Sequence, residues 1–76
     1  MFVSDYELAR IRELYPVGSR VELVSMDDKQ APPSGTKGTV RIVDDIGTVH
    51  CDWDNGSGLG FVPGEDIVRK VTEGDD

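Results

Sequence analysis

Cysteine is almost missing: Cys51 stands alone in 76 residues, so no disulfide can close within the chain and no zinc site with several thiolates can be built. Histidine is as scarce. His50 is the only one, and no motif sets a serine or cysteine beside it as a nucleophile for a general base. Long apolar runs are lacking too. No segment approaches the roughly 20 apolar residues that span a bilayer, and the opening MFVSDYELARIRELYP has neither the basic start nor the unbroken apolar stretch of a secretory signal. The expectation is a cytoplasmic protein that keeps clear of membranes. Positive charge is thin: eight Lys and Arg face fifteen Asp and Glu, for a formal charge of −7. The basic residues after Pro16 are scattered singly apart from Arg69-Lys70. Phosphate backbones are bound by cations that displace condensed counterions, so nucleic acid is a disfavoured partner.

What is present is turn chemistry and alternation. A chain this short buries only about 60% of its unfolded surface, which leaves room for one lean core. From Gly38 to Leu59 the sequence GTVRIVDDIGTVHCDWDNGSGL twice opens a strand with Gly-Thr-Val. Val40 and Ile42 alternate in the first, and Val49, Cys51 and Trp53 in the second. Asn55-Gly56 closes it as a two-residue type I′ turn, which requires positive φ at both positions; a β-branched residue at Asn55 would then be strained. Five strands are expected, at Arg20 to Ser25, Lys37 to Val43, Gly47 to Asp54, Ser57 to Val62 and Ile67 to Val71. Pro63-Gly64-Glu65-Asp66 forms a tight corner with a 3₁₀ turn before the fifth. Gly58 and Gly60 mark sharp bends in the fourth strand.

The start of the chain reads as a short helix. Ser4 is its N-cap, Glu7 completes a capping box, and Val3 faces Leu8 as a hydrophobic staple. Leu8, Ile11 and Tyr15 form an apolar stripe, with Leu14 beside it, and Tyr15-Pro16 ends the helix. Three turns do not persist alone in water. The stripe must therefore dock on the strands, or else Tyr6, Leu8 and Ile11 form a homodimer or partner contact. The predicted architecture is mostly β: a small five-stranded SH3-like barrel over residues 17–72, a helix in residues 1–16, and a disordered acidic tail at 73–76. An OB-fold is disfavoured because only Asn55-Gly56 stands where its helix would be.

The strings SMDDKQAPPSGTKGTV, VDDIGTVHCDWDNGSGLG and PGED resemble a small domain-of-unknown-function family found in phage, plasmid and conjugative-element genes of bacteria. The likeness runs from about Tyr15 to Val71. It implies a mobile-element setting and an SH3-like fold, and it attaches no activity. The block from G-T-V to W-D-N-G is also similar, more weakly, to the SH3-like repeats of mind bomb type ubiquitin ligases, which bind peptide segments of receptor ligands. That block encodes fold rather than function.

Several chemical motifs fail on inspection. Asp52, Asp54, Asn55 and Gly56 begin like a calcium loop, but the obligatory glycine position falls on Ser57 and the bidentate Glu position on Pro63. The pairs Asp27-Asp28 and Asp44-Asp45 point to opposite faces if extended, so they read as turn formers that cap their own backbone. Gly56, Gly58 and Gly60 have no helix after them and make no phosphate cradle. Cys51, in phase with Val49 and Trp53, reads as a small buried residue, and His50 as a cross-strand neighbour on the outward face. No cofactor, metal or catalytic residue is assigned, and an enzyme is not expected.

The remaining surface is the long loop Met26 to Thr36. Met26, Asp27, Asp28, Pro32 and Pro33, together with Trp53 and Pro63, are the candidate partner-binding residues, on the expectation that loop, hairpin tips and corner border one groove. Carboxylates beside an aromatic floor suit a basic or proline-containing peptide. Two structural alternatives stay open: Trp53 as core, and Pro32-Pro33 as loop stiffeners. The leading reading is a protein- or peptide-binding module of a mobile element. An acidic inhibitor of a host nucleic-acid-binding protein is the alternative, and direct nucleic-acid binding comes third.

Overall fold

The computed structural model describes residues 3–72; the acidic tail expected to be disordered lies outside them. One helix, α1 (Asp5–Leu14), precedes four strands: β1 (Arg20–Ser25), β2 (Lys37–Val43), β3 (Val49–Trp53) and β4 (Ile67–Val71). They form one antiparallel sheet in the order β3-β2-β1-β4. The class is mostly β with a short helix, as expected. It is not a five-stranded barrel, because the sheet does not close and the predicted strand from Ser57 to Val62 does not form.

The reason lies in that segment's own backbone. Trp53 is 3% exposed, and a buried indole N–H needs an acceptor. Its Nε1 donates to the Leu59 carbonyl at 2.6 Å, while the Leu59 N–H donates to Ser57 Oγ at 3.3 Å. Both backbone groups of Leu59 thus bond to side chains and not to the backbone of β3. Backbone-to-backbone hydrogen bonds join the segment to β3 only at its ends, through Trp53 N–H to Ser57 O (2.9 Å) and the reciprocal Val49–Phe61 pair (2.9 Å each way). Glycines at 56, 58 and 60 add the entropy that makes such a run a poor strand. Gly60 does not bend a strand; it lets the chain pass close to β3, where a Cβ would lie 2.8 Å from Thr48 Cγ2.

The two hairpin tips share one geometry, and it is not type I′. Among the described residues only glycines have positive φ, and Asn55 does not. Gly56 N–H donates to Trp53 O at 2.9 Å with φ 93°, and Gly47 N–H donates to Asp44 O at 3.1 Å with φ 88°. Each tip is therefore a three-residue loop, a type I turn followed by a left-handed glycine. Asn55 serves instead through its side chain, whose Oδ1 accepts from Ser57 N–H at 3.0 Å.

Bulges correct the predicted alternation. Between Val40 and Ile42 the register with β3 slips by one, so Val43 turns inward and Ile42 is left 53% exposed. A second slip between Leu23 and Ser25 against β4 leaves Val24 outward. The core comprises Val21, Leu23, Val40, Val43, Val49, Cys51, Trp53 and Phe61. On the opposite face, Arg20 grips Asp54 through two hydrogen bonds of 2.9 and 2.7 Å and also reaches Thr39 Oγ1.

The helix docks in cis. Ser4 caps it by accepting from Glu7 N–H at 3.1 Å. Leu8, Ile11 and Tyr15 pack on the core, and the Tyr15 ring meets Phe61 edge-on at 5.2 Å. Arg12 donates to the Val43 carbonyl (3.3 Å) and to Asp45 (3.1 Å) at the β2–β3 tip. The stripe offered above as a dimer contact is thus engaged within the chain, with Tyr6 remaining 71% exposed.

Two stability outcomes follow. A methyl at Gly38 would sit 2.7 Å from Trp53 Cε3, so Gly38→Ala is expected to lose about 1–3 kcal/mol in urea unfolding. At the second tip, Gly56→Val is expected to cost more than Asn55→Val: strain of about 1–2 kcal/mol for a side chain in the left-handed region, against one exposed hydrogen bond of about 0.5–1.5 kcal/mol. Equal losses would contradict the turn geometry described.

Candidate functional site: a groove between helix, hairpin tip and corner

Three separate segments meet around an open groove of about 540 Å³, within the size range of small-ligand sites. Val3 and Glu7 come from the start of α1, Ile46 and Thr48 from the β2–β3 tip, and Val62 to Glu65 from the corner before β4. Each wall has a local cause. Ser4 sets the angle at which the chain enters the helix, which brings Val3 against the tip, where its Cγ2 lies 3.1 Å from the position a Cβ would take on Gly47. Any side chain at Gly47 would meet Val3 and Ile11. The glycine therefore serves both the turn and the closeness of the walls.

The tip wall hangs on one carboxylate. Asp44 Oδ1 accepts from the N–H of Ile46 (3.1 Å) and of Thr48 (2.9 Å), and its Oδ2 meets His50 Nε2 at 2.9 Å. The His50 hydrogen bond, aided by the two backbone bonds, holds the Asp44 carboxyl below its ordinary value against a partial opposing effect of burial. His50 is thus a partner of the turn carboxylate, a pairing that strand alternation alone does not show. The corner wall is built similarly. Val62 O accepts from Glu65 N–H (3.0 Å) and Asp66 N–H (2.9 Å), and Asp66 Oδ2 accepts from Val62 N–H at 2.8 Å. It is a hydrogen-bonded turn, as expected at Pro63 to Asp66, without a regular 3₁₀ segment.

The predicted partner-binding residues are not gathered into one surface. Pro63 lines the groove; Met26, Asp27, Asp28, Pro32, Pro33 and Trp53 do not. Trp53 and Pro32 are buried, and Met26 packs half-buried against the core, which removes the aromatic floor expected beneath the loop. Asp27, Asp28 and Pro33 are exposed. Asp28 caps its own turn by accepting from Gln30 N–H at 2.8 Å. The loop's return is fastened to β1 by Gly35 N–H to Leu23 O (2.7 Å) and Ser34 Oγ to Val24 O (2.8 Å). Reasoning from sequence missed Val3, Glu7, Ile46, Thr48, Val62 and Glu65 as a set. Ile46, an isoleucine in a polar turn, was the available signal.

Cys51 is fully buried, and burial, with a smaller contribution from Asp52, pushes its thiol up to about 11. That environment suits packing rather than nucleophilic use. Among the described residues no group of three or more His, Cys, Asp and Glu is placed to hold a metal ion, and no helix is long and apolar enough to cross a membrane.

Because the folded Asp44 carboxyl lies below its ordinary value of 3.8, it binds protons less readily than in the unfolded chain. Its contribution to stability is therefore present above pH 3.8 and lost as pH falls through the lower folded value. Acid titration of the unfolding free energy is expected to show this loss, and Asp44→Asn to be less stable near neutrality with a shallower acid decline. An identical decline in the variant would remove Asp44 from the account.

The family comparison matches residues 4–71 to a domain of unknown function, DUF4314. No curated protein and no solved structure matches the chain. With its helix, its four strands and every residue of the groove's tip and corner walls inside the matched span, the chain belongs to the DUF4314 family.

Proposed function

We propose that this protein is a non-enzymatic protein-interaction module that receives an extended segment of a partner in the groove between α1, the β2–β3 tip and the corner. The observation that carries this reading is the convergence of apolar side chains from three segments, Val3, Ile46, Val62 and Pro63, around an open concavity. Ile46 is 63% exposed there, although a polar residue would satisfy the turn equally well. A side chain of a partner entering the groove would cover it, and apolar burial is worth about 25 cal/mol per Å² removed from water. The groove replaces the long loop as the proposed contact surface. A mobile-element setting completes the reading, supported by the resemblance of the M-D-D, A-P-P and W-D-N-G-S strings. The net charge of −7 supports a second reading, an acidic competitor for the nucleic-acid site of a basic host protein, which would weaken steeply as salt rises.

The test is selection of a displayed random-peptide library on the full chain. Enriched peptides are expected to bind Ile46→Asp at least about tenfold more weakly, a loss of about 1.4 kcal/mol, and to bind Asp27→Lys/Asp28→Lys with little change. Binding that survives Ile46→Asp but falls with the loop variant would return the site to the loop. A library without enrichment would count against a peptide-binding role.

A further inference from the structure

The charge around the groove specifies its occupant. Asp45, Asp52, Asp54 and Glu22 each face an arginine, at 3.1, 3.5, 2.7 and 2.7 Å respectively. The two carboxylates of the groove are different. Among the described residues, Glu7 accepts only a hydroxyl hydrogen bond from Ser4 (3.2 Å), Glu65 makes no ion pair, and no Lys, Arg or His lines the groove. Asp66 is already spent on the corner's backbone. Two negative charges without an ion-pair partner among the described residues, one from the helix and one from the corner, thus border an apolar floor. The start of α1 contributes an opposing partial charge of about +0.5, too small to neutralise them.

On the reading that the groove binds a partner segment, we infer that the segment carries an apolar side chain flanked by Lys or Arg. The apolar residue fills the space between Val3, Ile46, Val62 and Pro63, and the flanking cations meet Glu7 and Glu65. A nucleic acid or an acidic segment would bring like charge to both carboxylates and is rejected by the same arrangement. Because both carboxylates are exposed, they contribute more to selecting the partner and to the rate of encounter than to affinity.

Three synthetic peptides test this, with sequences Gly-Lys-Lys-Leu-Arg-Lys-Gly, Gly-Ser-Ser-Leu-Ser-Ser-Gly and Gly-Glu-Glu-Leu-Glu-Glu-Gly, titrated into ¹⁵N-labelled full chain and followed by NMR. The basic peptide is expected to move the amide signals of Ile46, Thr48, Val62 and Glu65, and to bind at least about fivefold more tightly than the neutral one, with the acidic one weakest. Glu7→Gln/Glu65→Gln, which keeps the helix-start hydrogen bonding, is expected to abolish that preference; its unchanged amide spectrum away from the groove reports that the fold is intact. If neutral and basic peptides move the groove signals equally, the groove reading stands and the charge inference fails. If none of the three moves them, both fail.

Discussion

Burial of Trp53 is the constraint on which most of this structure depends. The indole is the largest side chain at the end of β3, and its N–H cannot be left without a partner in the core. By taking the Leu59 carbonyl at 2.6 Å, it pulls the chain after the second tip into an irregular path beside β3. On its other side the ring presses on β2, where only glycine at position 38 leaves room. The central strand and the irregular segment are therefore both shaped by one ring.

From that segment the constraint passes to the groove. The chain returns to β3 at Phe61, which is fully buried and packs perpendicular to the Tyr15 ring. Tyr15 ends the helix, so the ring pair orients α1 and carries Val3 and Glu7 to the tip. One residue beyond Phe61 the corner begins, and with it the opposite wall. A ten-residue helix has little stability in isolation, so the helix wall exists because the core provides an apolar surface for it. The groove thus follows from the packing of two aromatic rings and from two short carboxylate-capped turns, at Asp44 and Asp66.

The distribution of charge follows the same division. Over the sheet's outer face, acidic side chains are matched by arginines, as in the Arg20–Asp54 and Arg69–Glu22 pairs. Exposed pairs of this kind add little stability, about 0–1 kcal/mol each, but they spread the few cations over the face opposite the core. Among the described residues, by contrast, Glu7 and Glu65 at the groove face no arginine or lysine within ion-pair distance, and the proposed preference for a basic segment rests on that difference.

Local chemistry was legible directly. The N-cap at Ser4, the strands β1 and β2 to the residue, the turn role of Asp28 and Asp44 and the inward Cys51 all depend on neighbours within a few positions, where spacing and propensity act. The predicted fourth strand, Ile42 in phase with Val40 and positive φ at Asn55 depended on interactions that spacing does not encode. A one-residue bulge exchanged Ile42 for Val43, and the Leu59 carbonyl bonds to an indole N–H where a fourth strand would have met a backbone donor. The sequence by itself determined a small, acidic, mostly β domain with a capped helix, because charge, periodicity and turn preference are local properties. Only the tertiary structure decided that the helix docks in cis, that the sheet stays open and that Val3, Ile46 and Pro63 share a groove. Those outcomes rest on ring packing and hydrogen-bond competition between residues distant along the chain.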